Sequence, residues 1–171
     1  TLALAWKIGG DRAHLDRCWD EMFAACRFPD WHPSHFLDTA ELSAAIAIGY
    51  DWLYDDLITS QRLTLSQTIR DFGLLPGITV YNKTSGWHTN EANWNQVCNG
   101  GMGMGALAIA DEEPAIAAEV LEKMLQNYRL AYMAPDGGWA EGPGYWGYAT
   151  RYMTFLFAAA ETAMGGAWGL A

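Results

Sequence analysis

Two polar, aromatic clusters between residues 87 and 148 carry the side chains best suited to chemistry. The first reads Trp-His-Thr-Asn-Glu-Ala-Asn-Trp-Asn-Gln-Val-Cys-Asn-Gly-Gly-Met over residues 87–102. The second reads Pro-Asp-Gly-Gly-Trp-Ala-Glu-Gly-Pro-Gly-Tyr-Trp-Gly-Tyr over residues 135–148. Indole faces stack on sugar rings, while amides and phenols hydrogen-bond hydroxyls and carboxylates. The two clusters therefore predict a cleft that binds a sugar chain.

The candidate substrate-binding residues are the aromatic, amide and carboxylate side chains of these clusters. Asn95, Gln96 and Asn99 lie along one predicted helix, so only some of them can face a cleft. Glu141 has two interpretations, a general acid or a residue that ties down its glycine-rich loop. The full set is Trp87, Trp94, Asn95, Gln96, Asn99, Trp139, Glu141 and Trp146.

Apolar residues at helical spacing predict the elements that must position these clusters. A long ordered loop is expected over residues 73–91, with a short extended piece at 78–81, and a turn-rich loop over 134–144. The predicted helices cover residues 11–26, 36–54, 59–72, 93–110, 113–133 and 145–164.

The predicted helix 93–110 carries four glycines in its interior. Each one lowers helix propensity by about 1 kcal/mol relative to alanine. Such a cluster is tolerated where another backbone or a ligand must come close. The four residues are Gly100, Gly101, Gly103 and Gly105.

Long helices without alternating strand patterns predict an all-α fold. Successive antiparallel helix hairpins, with an apolar inner set and an amphipathic outer set, favour an incomplete α/α toroid. We expect one helical domain over residues 1–171. Both ends enter apolar helical sequence directly, so the chain is expected to be part of a larger protein.

Composition limits the classes of function. The chain has 171 residues, of which 51% are hydrophobic, and a net charge of −10 with ten Lys and Arg residues. So few basic residues argue against nucleic acid, although an acidic substrate stays possible in an amide-lined cleft. No apolar run is long enough for a transmembrane helix, so no membrane partner is expected. The three cysteines, Cys18, Cys26 and Cys98, are expected to be free buried thiols.

Two pairs of residues have the spacing of metal ligands. His32 and His35 would need a helical turn, which Pro33 opposes, so loop packing and capping of the next helix is the favoured interpretation. His88 and Glu91 lack a third ligand, and a hydrogen-bonding role in the cleft is favoured. We expect no metal and no other cofactor in this chain.

Several blocks of sequence resemble the heparinase II/III-like polysaccharide lyases. They lie at residues 32–41, 48–54, 93–102 and 134–148, in the order expected for that family. The resemblance implies a helical toroid followed by a C-terminal β-region, and β-elimination of uronic-acid polysaccharides such as heparan sulfate or alginate. It also implies a periplasmic or secreted bacterial protein, with a structural metal possible in the β-region. Without that region we expect weak activity or none.

The resemblance also implies roles for individual residues. Asn93 matches the family's Asn that neutralises the substrate carboxylate. Tyr145 best matches the catalytic Tyr, and Tyr148 is a near rival one helical turn later. Trp94 stands where some relatives have a His, which moves any such role to His88. The family's other catalytic His comes from the β-region.

These assignments suit the chemistry of β-elimination. Negative charge builds on the substrate carboxylate as the neighbouring proton leaves, so an amide N–H donor lowers the barrier. A phenol, with an unperturbed pKa of about 10, acts readily as an acid but needs a lowered pKa to act as a base. The residues alone leave simpler roles open. Asn93 could cap its helix, and Tyr145 and Tyr148 could be packing rings.

Two alternatives to a lyase remain at this stage. A toroid glycoside hydrolase needs two carboxyl groups about 5 to 10 Å apart. Asp136 with Glu141 or Glu91 is a candidate pair, but amides and tyrosines outnumber acids in the loops. The other alternative is a non-catalytic carbohydrate-binding or scaffold module. The sequence does not name the polysaccharide, the endo or exo mode, the sulfation preference or the oligomeric state.

Overall fold

The computed structural model describes residues 1–128 and 138–168 of the chain. Within these two ranges all regular structure is helical and no strand occurs, which confirms the all-α prediction. Residues 129–137 lie outside the described residues, and they include the predicted end of a helix at Met133 and the first four residues of the predicted loop 134–144. The helices are α1 (Leu2–Gly9), α2 (Arg12–Cys26), α3 (Leu37–Trp52), α4 (Thr59–Thr68), α5 (Leu75–Tyr81), α6 (Asn93–Ala108), α7 (Pro114–Asn127) and α8 (Pro143–Met164).

The predicted loop over residues 73–91, with its extended piece at 78–81, is wrong over its first half. A π-helical segment, Ile69–Leu74, joins α4 to α5, so residues 59–81 form one continuous helical run. The carbonyl that the Pro76 ring would obstruct belongs to Phe72, inside the π-helical segment. The wider turn there makes room for the ring. Only a single 3₁₀ turn, Trp87–Thr89, interrupts the connection to α6.

Close packing explains the glycines that suggested a loop. A Cβ at Gly73 would lie 2.5 Å from the Ser43 hydroxyl, and one at Gly77 would lie 2.6 Å from the Met102 sulfur. Glycine is therefore needed where this helical run crosses α3 and α6. The sequence pattern had two explanations, flexibility and close approach, and close approach is correct here.

Helices α3 and α6 run parallel. A Cβ at Gly101, midway along α6, would lie 2.7 Å from the carbonyl carbon of Ala40, early in α3. Later in both helices, a Cβ at Gly105 would lie 3.7 Å from the Ser43 Cβ atom. The contacts thus advance in the same direction along both chains.

Helix α8 runs parallel to α6 on its other side. The position of a Cβ at Gly100 is 3.0 Å from the Tyr152 Cβ atom, and that at Gly103 is 2.5 Å from a Leu156 methyl group. The N-terminal ends of α3, α6 and α8 therefore lie at the same end of the molecule.

The helical run 59–81 is antiparallel to α6. The Tyr81 hydroxyl donates to Asn99 in the first half of α6, whereas a methyl group of Leu74 lies near Gly105 in its second half.

Helix α7 is also antiparallel to α6. The carbonyl of its last residue, Asn127, accepts a hydrogen bond from Asn95, close to the start of α6. Met124, one turn earlier in α7, lies beside Gly103. α6 thus packs against α3, α8, α7 and the helical run 59–81, and this accounts for its almost complete burial.

The cysteines are free, as predicted. Cys18 and Cys98 are buried, whereas Cys26 is only partly buried, so the prediction that all three are buried is wrong for Cys26. Burial raises the pKa of the Cys18 and Cys98 thiols. In the part of the chain that the structure describes, no helix combines the length and apolar character needed to cross a membrane.

Replacing Gly101 with alanine tests the central packing. The new methyl group would overlap the backbone of Ala40, with 2.7 Å to its carbonyl carbon and 2.8 Å to its Cα atom. We expect Gly101→Ala to lower the free energy of unfolding by about 1–3 kcal/mol, measured by urea denaturation.

Gly147→Ala is the matched control, since Gly147 is also helical and has open space around it. We expect this variant to be as stable as the parent or more stable by up to about 1 kcal/mol. Equal effects of the two substitutions would contradict the proposed contact.

Candidate functional site

The N-terminal ends of α3, α6 and α8 form the candidate site. Free backbone N–H groups give such ends a partial positive charge. The first turns and the residues just before them place carboxylates, an amide and aromatic rings at this end of the molecule. The polar residues are His35, Asp38, Glu41, Asn93, Glu141, Tyr145 and Tyr148.

Glu141 ties the loop before α8 to the start of α6. Its carboxylate accepts hydrogen bonds from the Asn93 backbone N–H and from Asn93 Nδ2, both at 2.7 Å. The Trp139 indole N–H donates to the same carboxylate at 3.2 Å. Glu141 therefore caps the N-terminal end of α6 from a distant part of the sequence. This contact agrees with the interpretation that Glu141 ties down its glycine-rich loop.

Asn93 is the first residue of α6 and is only 1% exposed. Its side chain does not cap its own helix, because Nδ2 donates to Glu141 and buried Oδ1 has no hydrogen-bond partner within residues 1–128 and 138–168. The amide thus binds a carboxylate of this chain. The carboxylate in this structure is that of Glu141 rather than that of a substrate.

Tyr148 donates its phenolic hydrogen to the Glu41 carboxylate on α3. Burial and the negative charge of Glu41 raise the pKa of Tyr148. The Tyr152 ring packs edge-on against Tyr148, with ring centroids 5.5 Å apart. A base that removes a proton needs a lowered pKa, so this environment opposes that role for Tyr148.

Tyr145 and Trp146 are the exposed aromatic residues of the site, at 53% and 43% exposure. They lie in the first turn of α8, where the Trp146 N–H donates to the Gly142 carbonyl at 3.1 Å. Across the described ranges, no hydrogen-bond partner occurs for the Tyr145 hydroxyl. Since Glu141 is bonded to Asn93, the chain holds Tyr145 near the start of α6.

Trp94 lies half-buried beside His35, with edge-on rings 5.1 Å apart. His35 and His32 each place Nδ1 on the same oxygen of Asp38, at 2.8 Å and 3.0 Å. Pro33 was expected to prevent this approach. Instead the amides of His35 and Phe36 both donate to the His32 carbonyl, and proline fits the first position of this turn because no N–H is needed there.

Three of the predicted substrate-binding amides are fully buried. Asn95 Nδ2 donates to the carbonyls of His88 and Asn127, while Asn99 Nδ2 donates to the Asn95 carbonyl. Gln96 also has no exposed surface. Because a ligand reaches only exposed atoms, the structure gives Asn95, Gln96 and Asn99 a packing role.

Trp87 and His88 are also buried, at 5% and 3% exposure. The Trp87 ring lies 4.7 Å from both the Phe36 and Tyr81 rings. Burial lowers the pKa of His88, which favours the neutral imidazole. Among the described residues, Trp87 Nε1 and His88 Nδ1 have no hydrogen-bond partner. Both side chains are nonetheless buried and are not part of the exposed surface.

The sequence analysis gave Asp38 and Glu41 no part in the site. Glu41 meets Tyr148 across 107 positions of sequence, and no local pattern reveals such a contact. The i,i+3 spacing of Asp38 and Glu41 in the first turns of α3 was the available signal.

The sequence also did not reveal a groove of about 1090 Å³ between α3 and α8. Its floor is formed by Met104, Leu107 and Ala108 of α6. Its lining on the two flanking helices includes six alanines and Glu41. The groove is separate in chemistry from the polar site, because its walls are mainly apolar.

Neither a protein-family model nor a curated protein sequence matches this chain. The resemblance to the heparinase II/III-like lyases therefore rests on the sequence blocks themselves.

Removing the Glu141 carboxylate should weaken the junction between α6 and α8. Glu141→Ala leaves the Asn93 N–H and Nδ2 donors without their acceptor, and we expect a loss of about 1–3 kcal/mol in the free energy of unfolding. Glu141→Gln keeps one acceptor oxygen and should lose less.

Glu91→Ala serves as the control, since Glu91 is exposed and should change stability by less than about 0.5 kcal/mol. Urea denaturation measures all three variants. Equal stability of Glu141→Ala and Glu91→Ala would show that the contact with Asn93 is unimportant.

The raised pKa of Tyr148 should appear in the pH dependence of stability. A phenol whose pKa is higher in the folded state adds stability that is complete below about pH 10 and is lost as the pH rises through the folded pKa. Tyr50, Tyr81, Tyr128 and Tyr152 also have raised pKa values, so the parent should lose stability steeply in this range.

Tyr148→Phe removes one titrating phenol, so its free energy of unfolding should fall less steeply with rising pH than that of the parent. Glu41→Gln removes a charge that raises the pKa of Tyr148 and should act in the same direction, but less strongly. Urea unfolding at several pH values measures the slope. A Tyr148→Phe slope equal to that of the parent would contradict the assignment.

Proposed function

We propose that this chain is the helical part of a lyase that cleaves uronic-acid-containing polysaccharides by β-elimination. The main support is the Asn93–Glu141 contact, in which an amide and a backbone N–H at the start of α6 already bind a carboxylate. The same chemistry is needed to stabilise the charge that develops on a uronate during elimination. The exposed Tyr145 and Trp146 follow Glu141 in sequence.

We also propose that the helices belong to an incomplete α/α toroid. Support comes from the directions of the helices, with α3, α6 and α8 parallel and the run 59–81 and α7 antiparallel to α6. Such an arrangement has an inner layer of parallel helices and an outer layer of returning helices. It gathers the N-terminal ends of the inner helices at one end, where an anionic ligand is favoured.

In this mechanism the uronate carboxylate takes the position that Glu141 occupies beside Asn93. The C–H bond next to the carboxylate breaks, its proton passes to a basic side chain, and its electrons form the carbon–carbon double bond. The glycosidic C–O bond breaks at the same time, and the departing oxygen receives a proton. The products are a new chain end and an unsaturated uronate, and no water is added.

Tyr145 is the residue best placed for proton transfer. Its exposed hydroxyl can approach a sugar, whereas the Tyr148 phenol is held by Glu41 with a raised pKa. Trp94 and Trp146 offer ring faces at the same end of the helices, and such faces stack on pyranose rings. Asn93 is a carboxylate-binding residue in this proposal.

Access to Asn93 requires the Glu141 carboxylate to leave its present position, because Asn93 is 1% exposed. Glu141 and the substrate carboxylate therefore compete for the same donors. Substrate binding in this proposal includes a shift of residues 138–142. The substrate supplies the carboxylate that replaces Glu141, so the buried donors remain satisfied.

The resemblance supplies the remaining parts of the proposal. The partners are an acidic polysaccharide and a C-terminal β-region, and the setting is periplasmic or secreted. The polysaccharide itself, heparan sulfate, alginate or a related polymer, is to be decided by assay.

A second candidate function is carbohydrate binding without catalysis. The low exposure of Asn93 and His88, at 1% and 3%, favours it, because a catalytic group must touch the substrate. Exposed aromatic rings can bind a sugar chain without either residue.

Ultraviolet absorbance of the unsaturated uronate tests the proposal. The chain and its natural full-length form are each incubated with alginate, heparan sulfate, hyaluronan and chondroitin. We expect absorbance to rise with one of these polymers, and Tyr145→Phe to lower the rate by at least about 100-fold, the usual contribution of acid–base catalysis.

Tyr54→Phe is the control, because Tyr54 is a comparably exposed tyrosine outside the site, at 41% exposure. It should retain the parent rate. New reducing ends without absorbance would indicate hydrolysis. Binding of a polymer with neither signal would favour the carbohydrate-binding module.

A further inference from the structure

His32, His35 and Asp38 form a cluster at the start of α3, named here the His-His-Asp cluster. We propose that this cluster binds a divalent first-row transition-metal ion through His32 Nδ1, His35 Nδ1 and one oxygen of Asp38. The inference does not depend on the proposed lyase function.

The three ligand atoms already have the spacing of a coordination site. The Asp38 oxygen lies 3.0 Å from His32 Nδ1 and 2.8 Å from His35 Nδ1, and all three atoms lie within 4.8 Å of one another. With metal–ligand bonds of about 2.1 Å, neighbouring ligands are about 3.0 Å apart in an octahedron and about 3.4 Å apart in a tetrahedron. Only small side-chain shifts are needed to admit an ion.

The backbone presents both imidazoles on one side of a single turn. His32 and Phe36, at its two ends, have positive φ angles of 58° and 65°. Residues with a Cβ atom rarely adopt this conformation, because it brings the Cβ atom close to the following carbonyl oxygen. Strain of this kind persists only where the surrounding structure enforces it, and it is concentrated at binding sites.

The turn that carries the two histidines is packed against the hydrophobic core. Phe36 is 2% exposed and packs on Trp87, with ring centroids 4.7 Å apart. Asp38 belongs to the first turn of α3, and His35 is also held by the Trp94 ring. Ligands on such a support keep their geometry without the ion, which lowers the entropy that binding must overcome.

The donor set selects the class of ion. Two imidazoles with one carboxylate suit Zn²⁺, Fe²⁺, Co²⁺, Ni²⁺ or Cu²⁺, whereas Mg²⁺ and Ca²⁺ favour oxygen ligands only. The His32, His35 and Asp38 side chains are 62%, 47% and 52% exposed. The remaining coordination positions therefore face solvent and can take water or another oxygen ligand.

Metal binding requires a particular tautomer of each histidine ring. A neutral imidazole coordinates through Nδ1 when its hydrogen is on Nε2. Binding thus exchanges the two hydrogen bonds to Asp38 for metal–nitrogen bonds and leaves the carboxylate as the third ligand. The competing explanation is a tether of two histidines to Asp38 that works without metal.

Titration with Co²⁺ and Zn²⁺ separates the two explanations. We expect one equivalent to bind, and bound Co²⁺ to show visible bands of nitrogen and oxygen ligation without thiolate-to-metal charge transfer. The latter point excludes the free cysteines as ligands. His35→Gln and Asp38→Asn should each weaken binding by at least about 10-fold, since even outer-shell changes cost about 10–100-fold.

Asp38→Asn is the decisive variant. Its amide oxygen still accepts hydrogen bonds from the histidines, so a metal-free tether should survive, while a metal site loses its charged ligand. Circular dichroism confirms that each variant is folded. His14→Gln is the control, because His14 lies on α2 outside the cluster, and it should bind as the parent does.

Three outcomes would overturn the proposal. They are the absence of binding by the parent, equal affinity of the parent and Asp38→Asn, and loss of affinity in His14→Gln as large as in His35→Gln. A thiolate charge-transfer band for bound Co²⁺ would also place the ion elsewhere. Raised melting temperature with Zn²⁺ in the parent, absent in Asp38→Asn, would support it independently.

Discussion

Close packing of α6 against α3, α8, α7 and the helical run 59–81 is the constraint on which the rest of the structure depends. Gly101 and Gly100 lie against the backbones of α3 and α8, and Gly103 lies against the Leu156 side chain of α8. Four interior glycines reduce the intrinsic stability of the helix by about 1 kcal/mol each. Burial of nearly all of α6 compensates for this loss. Because the same helix contacts both partners in parallel, the starts of three helices are brought to one end.

That end needs compensation for free N–H groups, and carboxylates provide it. Glu141 accepts from the start of α6, and Asp38 lies in the first turn of α3. Three carboxylates at this end also have side-chain donors, which are a histidine pair for Asp38, Tyr148 for Glu41 and Asn93 for Glu141. The negative charges are therefore partly neutralised by specific contacts. Polar residues that suggested a binding cleft thus also complete the fold.

The sequence predicted the helices well where one face is apolar, as for α2, whose buried Leu15, Cys18 and Met22 have helical spacing. It failed at residues 73–81, because Gly73 and Gly77 are typical of loops, and only the tertiary contacts explain them. For the site, the sequence identified Asn93 and Glu141 but not their bond to each other. Their separation of 48 positions leaves no local pattern. The sequence also did not predict that the amides along α6 are buried. A hydrogen-bonded amide fits a packed interior as well as it fits a binding cleft, so the residue type alone does not distinguish the two.

An acidic protein binds an acidic polymer only where the local electrostatic potential of its surface is positive. The net charge of −10 repels a polyanion at long range, but screening limits that repulsion to roughly 10 Å at ordinary ionic strength. Within that distance the helix starts contribute partial positive charge, and a divalent ion at the His-His-Asp cluster would dominate the local field. His35 contacts Trp94, which is next to Asn93, so the proposed ion and the proposed carboxylate site share one end of the molecule. An anionic sugar could then be attracted by the ion and held by neutral amide and phenol donors, without the clustered Lys and Arg residues that this sequence lacks.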